Sequence, residues 1–488
     1  MNWDKAVALM AAMLAFAVHP AAWADAPEDL FTRAVDAEKA GDLDPAIDLF
    51  TKASALEPES SAVYNNRGVA YARKKVYDKA MDDFNKALRL NPDNAGTYNN
   101  RGVVFQAMGN IDSAVKDFDK ALQIDPNHVH ALFARAGLKI QGGRNDEAAR
   151  DVQTILRIEP RNVSANIMMG KLRLAEGGAD AALKVFQRAL TDDPGNLAAL
   201  KGAADASFLR GDFRKAIADY GQAIQSGGKN PELLTNLCSA LIRAGDLGAA
   251  VRSCDEALKL DPDYAEALYN LGVAKAGRES YQEAIETFSK AIDVNPDRSD
   301  YFYNRGKALQ SLGKSDEALE DYNRALKLDP GLSDALNNRG VIRWARQEFD
   351  AAEADFRQAL KLNRRHTEAY KNLAAACLTK GSSDEAIQLL ETVLRLDPDD
   401  TDSAAALGDA WASREKWTKA LGYFKQALKH ASSKEQKARI LAHEGMALAK
   451  SGNKRQALKS YERALELVPD PAKKNQLQDR IAELKAQR

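Results

Sequence analysis

The chain is poor in the residues that carry out chemistry. Its 488 residues include three cysteines and six histidines. The histidines are His19, His128, His130, His366, His430 and His443, and no cysteine–histidine spacing fits a zinc site. No GxxxxGK[ST] or HExxH run occurs, so neither a phosphate-cradling loop nor a metalloprotease helix is present. The net charge is −1 and no Lys/Arg-rich run stands out, which leaves no electrostatic case for nucleic acid. No metal and no cofactor is expected, no residue is put forward as catalytic, and an enzyme is not the expected class.

Proline is also sparse, and its placement decides the fold. Of fifteen prolines, ten lie on a 34-residue ruler: Pro58, Pro92, Pro126, Pro160, Pro194, Pro262, Pro296, Pro330 and Pro398, then Pro469 after a slip of three residues. The vacant marks are Gly228, Arg364 and Ser432. A period held over twelve copies, with a thirteenth after the slip, means one small unit repeated and leaves no room for a separate catalytic domain. The units start near residues 27, 61, 95, 129, 163, 197, 231, 265, 299, 333, 367, 401 and 438.

With the proline as position 32, position 20 is alanine in all thirteen units and position 27 in eleven, Ile155 and Val393 being the exceptions. Position 8 is always small (Gly68, Gly102, Gly170, Gly272, Gly306, Gly340, Gly408 and Gly445, otherwise Ala or Cys238), and position 24 is mostly aromatic (Phe50, Phe84, Phe118 among them). Small residues at facing levels let two antiparallel helices approach, and the aromatic fills the remaining volume. Helix A is expected at positions 1–14 and helix B at 18–31. Glycine at position 15 in nine units fits a left-handed helix end, and the proline at position 32 stops helix B.

The run Tyr64-Asn65-Asn66-Arg67-Gly68, followed by Tyr71, Ala80, Phe84, Ala87 and Pro92, resembles the tetratricopeptide repeat. The resemblance covers residues 27–471. It implies an all-α, right-handed superhelical solenoid of about thirteen helical hairpins, its concave face lined mainly by A helices. Residues 25–471 are read as the solenoid and 472–488 as a C-terminal capping helix, with Leu477, Ile481 and Leu484 on one face.

Residues 1–24 differ from the rest. Lys5, the apolar stretch Ala6 to Val18, and Ala22-Trp23-Ala24 read as a secretory signal cleaved near Ala24; a retained anchor is the alternative. An exported chain is then expected, in a periplasm if the signal is Gram-negative in style, with no transmembrane segment after cleavage. In an oxidising compartment the cysteines matter. Cys238 and Cys254 occupy positions 8 and 24 of one unit, levels that face each other in an antiparallel hairpin. They are expected either to form a disulfide, worth ~3 kcal/mol for a loop of about fifteen residues, or to fill the core as two thiols. Cys377 is expected in the core.

Two ladders of polar residues need separate readings. Arginine at position 7 and aspartate at position 23 coincide in five units: Arg67 and Asp83, Arg101 and Asp117, Arg135 and Asp151, Arg305 and Asp321, Arg339 and Asp355. Their co-occurrence assigns them to pairs within one hairpin, a structural role. Position 2 is acidic from Glu232 through Glu266, Asp300, Asp334 and Glu368 to Asp402, which reads as a complement to the helix dipole in each first turn or else as an acidic groove edge for basic ligands. Units 4 to 6 depart most from the pattern, with Lys139 and Arg173 at a usually apolar position, and residues 225–231 read as a seam.

Asparagine at position 6 is unbroken over five units: Asn236, Asn270, Asn304, Asn338 and Asn372. An amide offers both donor and acceptor to an extended chain. The resemblance implies that positions 5, 9, 12 and 13 face the groove, which puts Tyr269, Tyr303, Lys307, Asn337 and Trp344 there. Aromatics beside amides make a platform for a peptide or a glycan, or else pad adjacent helices. A clamp for chaperone carboxylates is not supported, because position 9 is Val35, Val69, Val103 or similar where the resemblance demands asparagine. The expected function is a non-enzymatic scaffold in the cell envelope that holds an extended peptide or partner helix. The alternative is a structural subunit of an envelope export or assembly machine. The sequence leaves homo-oligomerisation open.

Overall fold

A computed structural model of the protein describes residues 26–486. The expected signal lies outside the described residues, as do the last two residues of the expected cap. Among the described residues there are 27 α-helices, one π turn and no strand. The chain divides into two compact units, Met1–Ala240 and Leu241–Arg488.

The first unit is a run of hairpins: Pro27–Ala40 with Leu43–Leu56, Ser61–Arg73 with Tyr77–Leu90, Ala95–Ala107 with Ile111–Ile124, Val129–Gln141 with Asn145–Ile158, Val163–Ala175 with Ala179–Asp192, and Leu197–Leu209 with Phe213–Ala223. Helix Pro231–Ala244 begins in this unit. The second unit continues with Leu247–Leu260 and five hairpins of the same build, from Ala265–Gly277 with Tyr281–Val294 to Thr401–Ser413 with Trp417–His430. It ends with Lys434–Lys450, Lys454–Leu467 and a final helix, Pro471–Ala486. Within each unit a B helix packs on its own A helix and on the A helix that follows.

Helix B occupies positions 17–30, one residue earlier than the 18–31 read from the sequence, as in Tyr77–Leu90. Both ends have local causes. Position 15 is left-handed in all thirteen units: nine are glycines, and Lys75, Glu279, Gln347 and Glu415 adopt the same conformation with φ of 58–65°. This reverses the chain in so few residues that helix B starts at once. Position 31 is extended at Asn91, with φ −138°, where the proline after it disfavours helical geometry, and Asn363 holds the same conformation before Arg364.

The core repeats with the sequence. The position-24 aromatics Phe50, Phe84, Phe118, Phe186, Phe288 and Phe424 are fully buried. A methyl group on Gly68 would sit 2.7 Å from Phe84, and one on Gly102 2.7 Å from Phe118. Glycine at position 8 is therefore room for the ring rather than freedom for the backbone.

Where the ruler loses its proline, the chain does something else. At Gly228 the helix runs on into a π turn, Ile224–Gly228, with Gly227 left-handed. A Cβ on Gly228 would lie 2.8 Å from the Ala223 carbonyl, so the mark is vacant for lack of space. At Ser432 the slip of three residues becomes an extra turn. The next A helix starts at Lys434, with Ser433 Oγ accepting from Gln436 N at 3.0 Å and Gln436 Oε1 accepting from Ser432 N at 3.1 Å, a reciprocal cap.

Candidate interaction surface

The surface is built on A helices held in place by ion pairs. Arg101 Nε and Nη2 donate to Asp117 at 2.7 and 2.8 Å, a two-pronged bond. The same geometry recurs between Arg67 and Asp83, Arg135 and Asp151, Arg305 and Asp321, and Arg339 and Asp355. The aspartates are only 4–6% exposed. Hydrogen bonds to the aspartates hold the Arg67, Arg101 and Arg305 guanidiniums above the ordinary arginine value.

A third prong was not read from the sequence. The remaining guanidinium nitrogen reaches position 25 of the preceding hairpin: Arg67 to Thr51, Arg101 to Asn85, Arg135 to Asp119, Arg305 to Ser289 and Arg339 to Asn323. Each arginine thus ties its own helix pair to the B helix before it. A spacing of sixteen residues on both sides of the arginine was the available signal. Lys139, odd as a sequence, donates to Asp151 at 2.9 Å, and Arg343 does the same to Asp355 at 2.8 Å.

The asparagine ladder also works between hairpins. Asn304 Nδ2 donates to the Tyr269 hydroxyl at 3.1 Å and to the Asp300 carbonyl at 2.9 Å. Asn372 Nδ2 donates to Asn337 Oδ1 at 2.8 Å, and Asn337 Nδ2 to Asn338 Oδ1 at 3.2 Å. Near the start, Asn100 donates to Asn65 at 3.1 Å. At Asn100, Asn304 and Asn372, position 6 of one unit therefore bonds position 5 of the unit before, which spends these amide hydrogens on aligning A helices, while Asn338 Nδ2 donates to the Tyr322 hydroxyl at 3.5 Å. Asn236 and Asn270 are half-buried.

The aromatics are held as well. Tyr269 stacks on Tyr301 with centroids 4.9 Å apart, and Tyr303 lies 6.1 Å from Tyr322. Burial, above all, pushes the Tyr269 and Tyr303 hydroxyls up to about 12, so both remain hydrogen-bond donors at neutral pH. Lys307 is exposed and places its ammonium 5.6 Å from the Tyr303 ring centroid. Trp344 packs edge-on against Phe349 at 4.6 Å, and Asn337 is buried rather than solvated.

Cys238 and Cys254 are fully buried and each is disulfide-bonded, whereas Cys377 is a free, buried thiol raised to about 11, chiefly by burial. His128 caps a helix, its Nδ1 accepting from Ala131 N at 3.2 Å. Among the described residues no three His, Cys, Asp or Glu side chains could hold a metal ion together, and no helix is long and apolar enough to cross a membrane.

Sequence reading also missed a large cleft. It measures about 1350 Å³ and lies between helix Lys434–Lys450, with its extra turn, and the final helix Pro471–Ala486. A smaller slot of about 290 Å³, lined by Val69, Tyr77 and Val103, lies between the two helices of the second hairpin and the A helix of the third.

Sequence profiles of the tetratricopeptide repeat match residues 61–94, 95–128, 299–332 and 438–471, and a longer profile of the same repeat matches 167–231, 236–301, 337–401 and 378–435. The chain belongs to the tetratricopeptide repeat family, and its fold is that of a protein–protein interaction scaffold. No curated protein sequence matches it. Among solved structures it is similar to the APC/C hetero-tetramer Cut9–Hcn1, with 16% identity over 94% of this chain and 97% of that one and a TM-score of 0.44. It is similar to yeast Tom70 with 18% identity, 88% and 96% coverage and a TM-score of 0.39. A third likeness, to pilF of Pseudomonas aeruginosa, has 19% identity, 44% and 97% coverage and a TM-score of 0.40. These are likenesses of fold alone.

Proposed function

We propose that the protein is a non-enzymatic binding scaffold, exported to the cell envelope, that holds an extended peptide or a partner helix along the A helices of units 8 to 10. The supporting observation is the pre-set row of Tyr269, Tyr303 and Trp344, each pinned by a ring or an amide. A surface ordered before binding loses little entropy when a ligand arrives. The recurring small and aromatic residues are spent on packing and the position-6 amides of Asn304 and Asn372 on aligning helices, leaving this row and the exposed Lys307 to meet a partner. Export is read from residues 1–24, whose pattern is that of a cleavable signal.

The test is capture from native envelope extract with residues 25–488 as bait, beside a Tyr269→Ala, Tyr303→Ala, Trp344→Ala variant of equal helicity. A partner held by the first and lost by the second is the expected result. A partner held equally by both would overturn the groove assignment. N-terminal sequencing of protein recovered from the native host should begin at Asp25; an intact Met1 would defeat the cleavage, and an intact Met1 on protein found only in the cytoplasmic fraction would defeat the export reading.

A further inference from the structure

The one slip in the 34-residue ruler and the one helix outside it meet at the large C-terminal cleft. Helix Lys434–Lys450, whose extra turn contributes Glu435 and Gln436, forms one wall and Pro471–Ala486 the other. The final helix packs on Lys454–Leu467 as a following A helix would. The space beside it has the surroundings of a helix seat. Tyr461 and Leu477 lie beneath it, and Met446 stands 40% exposed within it. An exposed, deformable methionine over a buried aromatic suits an apolar side chain from outside.

The rims carry the second signal. Asp402 is already paired with Arg439 at 2.5 Å, and His443 with Asp409 at 2.6 Å. Glu435 on one rim and Asp479 and Glu483 on the other make no ion pair among the described residues, and neither do Lys473 and Arg480. The lining as a whole holds five carboxylates against three lysines and arginines. Asp479 and Glu483, four residues apart, lie on one helical face, so carboxylates flank the apolar floor on both sides.

We infer that this cleft is a second docking site, which seats an amphipathic helix of a partner with an apolar stripe flanked by lysine or arginine. The inference rests on the scaffold reading but not on the groove of units 8 to 10, since no residue of those units lines the cleft.

The probe is a fluorescein-labelled helical peptide as long as the final helix, with a leucine stripe and lysine flanks, and a twin with glutamate flanks. Anisotropy is read with the full chain, with Met446→Glu, and with Glu435→Lys, Asp479→Lys, Glu483→Lys combined; these side chains are exposed, and circular dichroism verifies the fold. The lysine twin should bind roughly tenfold tighter than the glutamate twin, equivalent to ~1.4 kcal/mol. The triple reversal should invert that order, and Met446→Glu should weaken both. Twins that bind alike, no binding by either, or an order that survives the reversal would overturn the proposal. So would sedimentation showing a dimer that Met446→Glu dissolves, since the occupant would then be a second copy. The Tyr269, Tyr303, Trp344 variant should bind the lysine twin unchanged. If that variant loses the native partner while the cleft variants bind peptide no differently from wild type, the scaffold reading stands and the cleft proposal falls.

Discussion

Units 2 to 4 and units 5 and 6 solve the same packing problem with different chemistry. In the former, an arginine at position 7 bonds a buried aspartate at position 23 and reaches the hairpin before it. In unit 5 those positions are Met169 and Val185, which share one apolar cluster. In unit 6 they are Ala203 and Asp219, and the aspartate falls back on Ser207 at 3.5 Å and Lys215 at 3.8 Å. The fold accepts an ion pair, an apolar pair or half of an ion pair at one location. The arginine is thus not required to form a hairpin. What it adds is a link between hairpins, which methionine cannot supply.

The largest effect should come from leaving one charge behind. Asp117→Ala strands a partly buried Arg101 and should cost about 3–5 kcal/mol. Arg101→Met with Asp117→Val, which copies unit 5, should recover most of that loss. Urea unfolding followed by circular dichroism measures both, and losses that simply add would mean the pair is not a unit. The same cycle is less clean at Arg339 and Asp355, because Arg343 also donates to Asp355 and would remain as a stranded cation.

The next effect is steric. Gly102→Ala drives a methyl into Phe118 and should cost about 1–3 kcal/mol as overpacking. Unit 6 already carries Ala204 beneath Tyr220, whose hydroxyl donates to Asp205 at 2.5 Å, so its ring tolerates the methyl. If Gly102→Ala proves harmless, the glycine–aromatic pairing is habit rather than constraint.

Much of this was legible before any coordinates. The ruler, the small residue at position 8 and the aromatic at position 24 prescribe a hairpin from chemistry local to one unit. The arginine–aspartate pairs were visible because partners repeat together. Contacts between units were harder to see. The position-25 acceptors vary among Thr, Asn, Asp and Ser, so no single letter repeats. The asparagines were read as offering their amides to an extended chain, and what the sequence did not show is that Asn304 and Asn372 turn their Nδ2 donors to the unit before, since a half-buried amide takes the nearest acceptor. The C-terminal cleft depends on a slip in register, which breaks the period instead of repeating it.

A smaller effect tests the half pair of unit 6. Burial is the foremost influence on Asp219 and holds its pKa above the usual carboxylate value, against the pull of Lys215. A raised carboxylate pKa means that ionisation is less favourable in the folded state. The cost is full above the folded pKa and vanishes below the unfolded value, near 4. Asp219→Asn should therefore stabilise the protein slightly at pH 7, by at most about 1 kcal/mol, and lose that advantage as the pH falls through 4. The unfolding midpoint against pH measures this. A loss at pH 7 of the size expected for Asp117→Ala would mean Asp219 is as firmly engaged as its counterparts.

The smallest effect concerns a rung that both regions share. Lysine or arginine at position 14 bonds an aspartate thirty residues earlier, as with Lys74 and Asp44 in the regular region and Arg210 and Asp180 at 2.8 Å in units 5 and 6. Asp180 is 79% exposed and Arg210 38%, so solvent and salt screen the pair. Asp180→Asn should shift stability by less than about 0.5 kcal/mol, with any shift gone at high salt. The outcome bears on how units 5 and 6 are joined. They lack the arginine that bridges hairpins elsewhere, and the exposed rung is a polar link that remains. A clear loss on Asp180→Asn, absent from Asp44→Asn, would show that this rung has taken over the missing bridge. Equal, negligible effects at both places would leave apolar packing as what holds units 5 and 6 together.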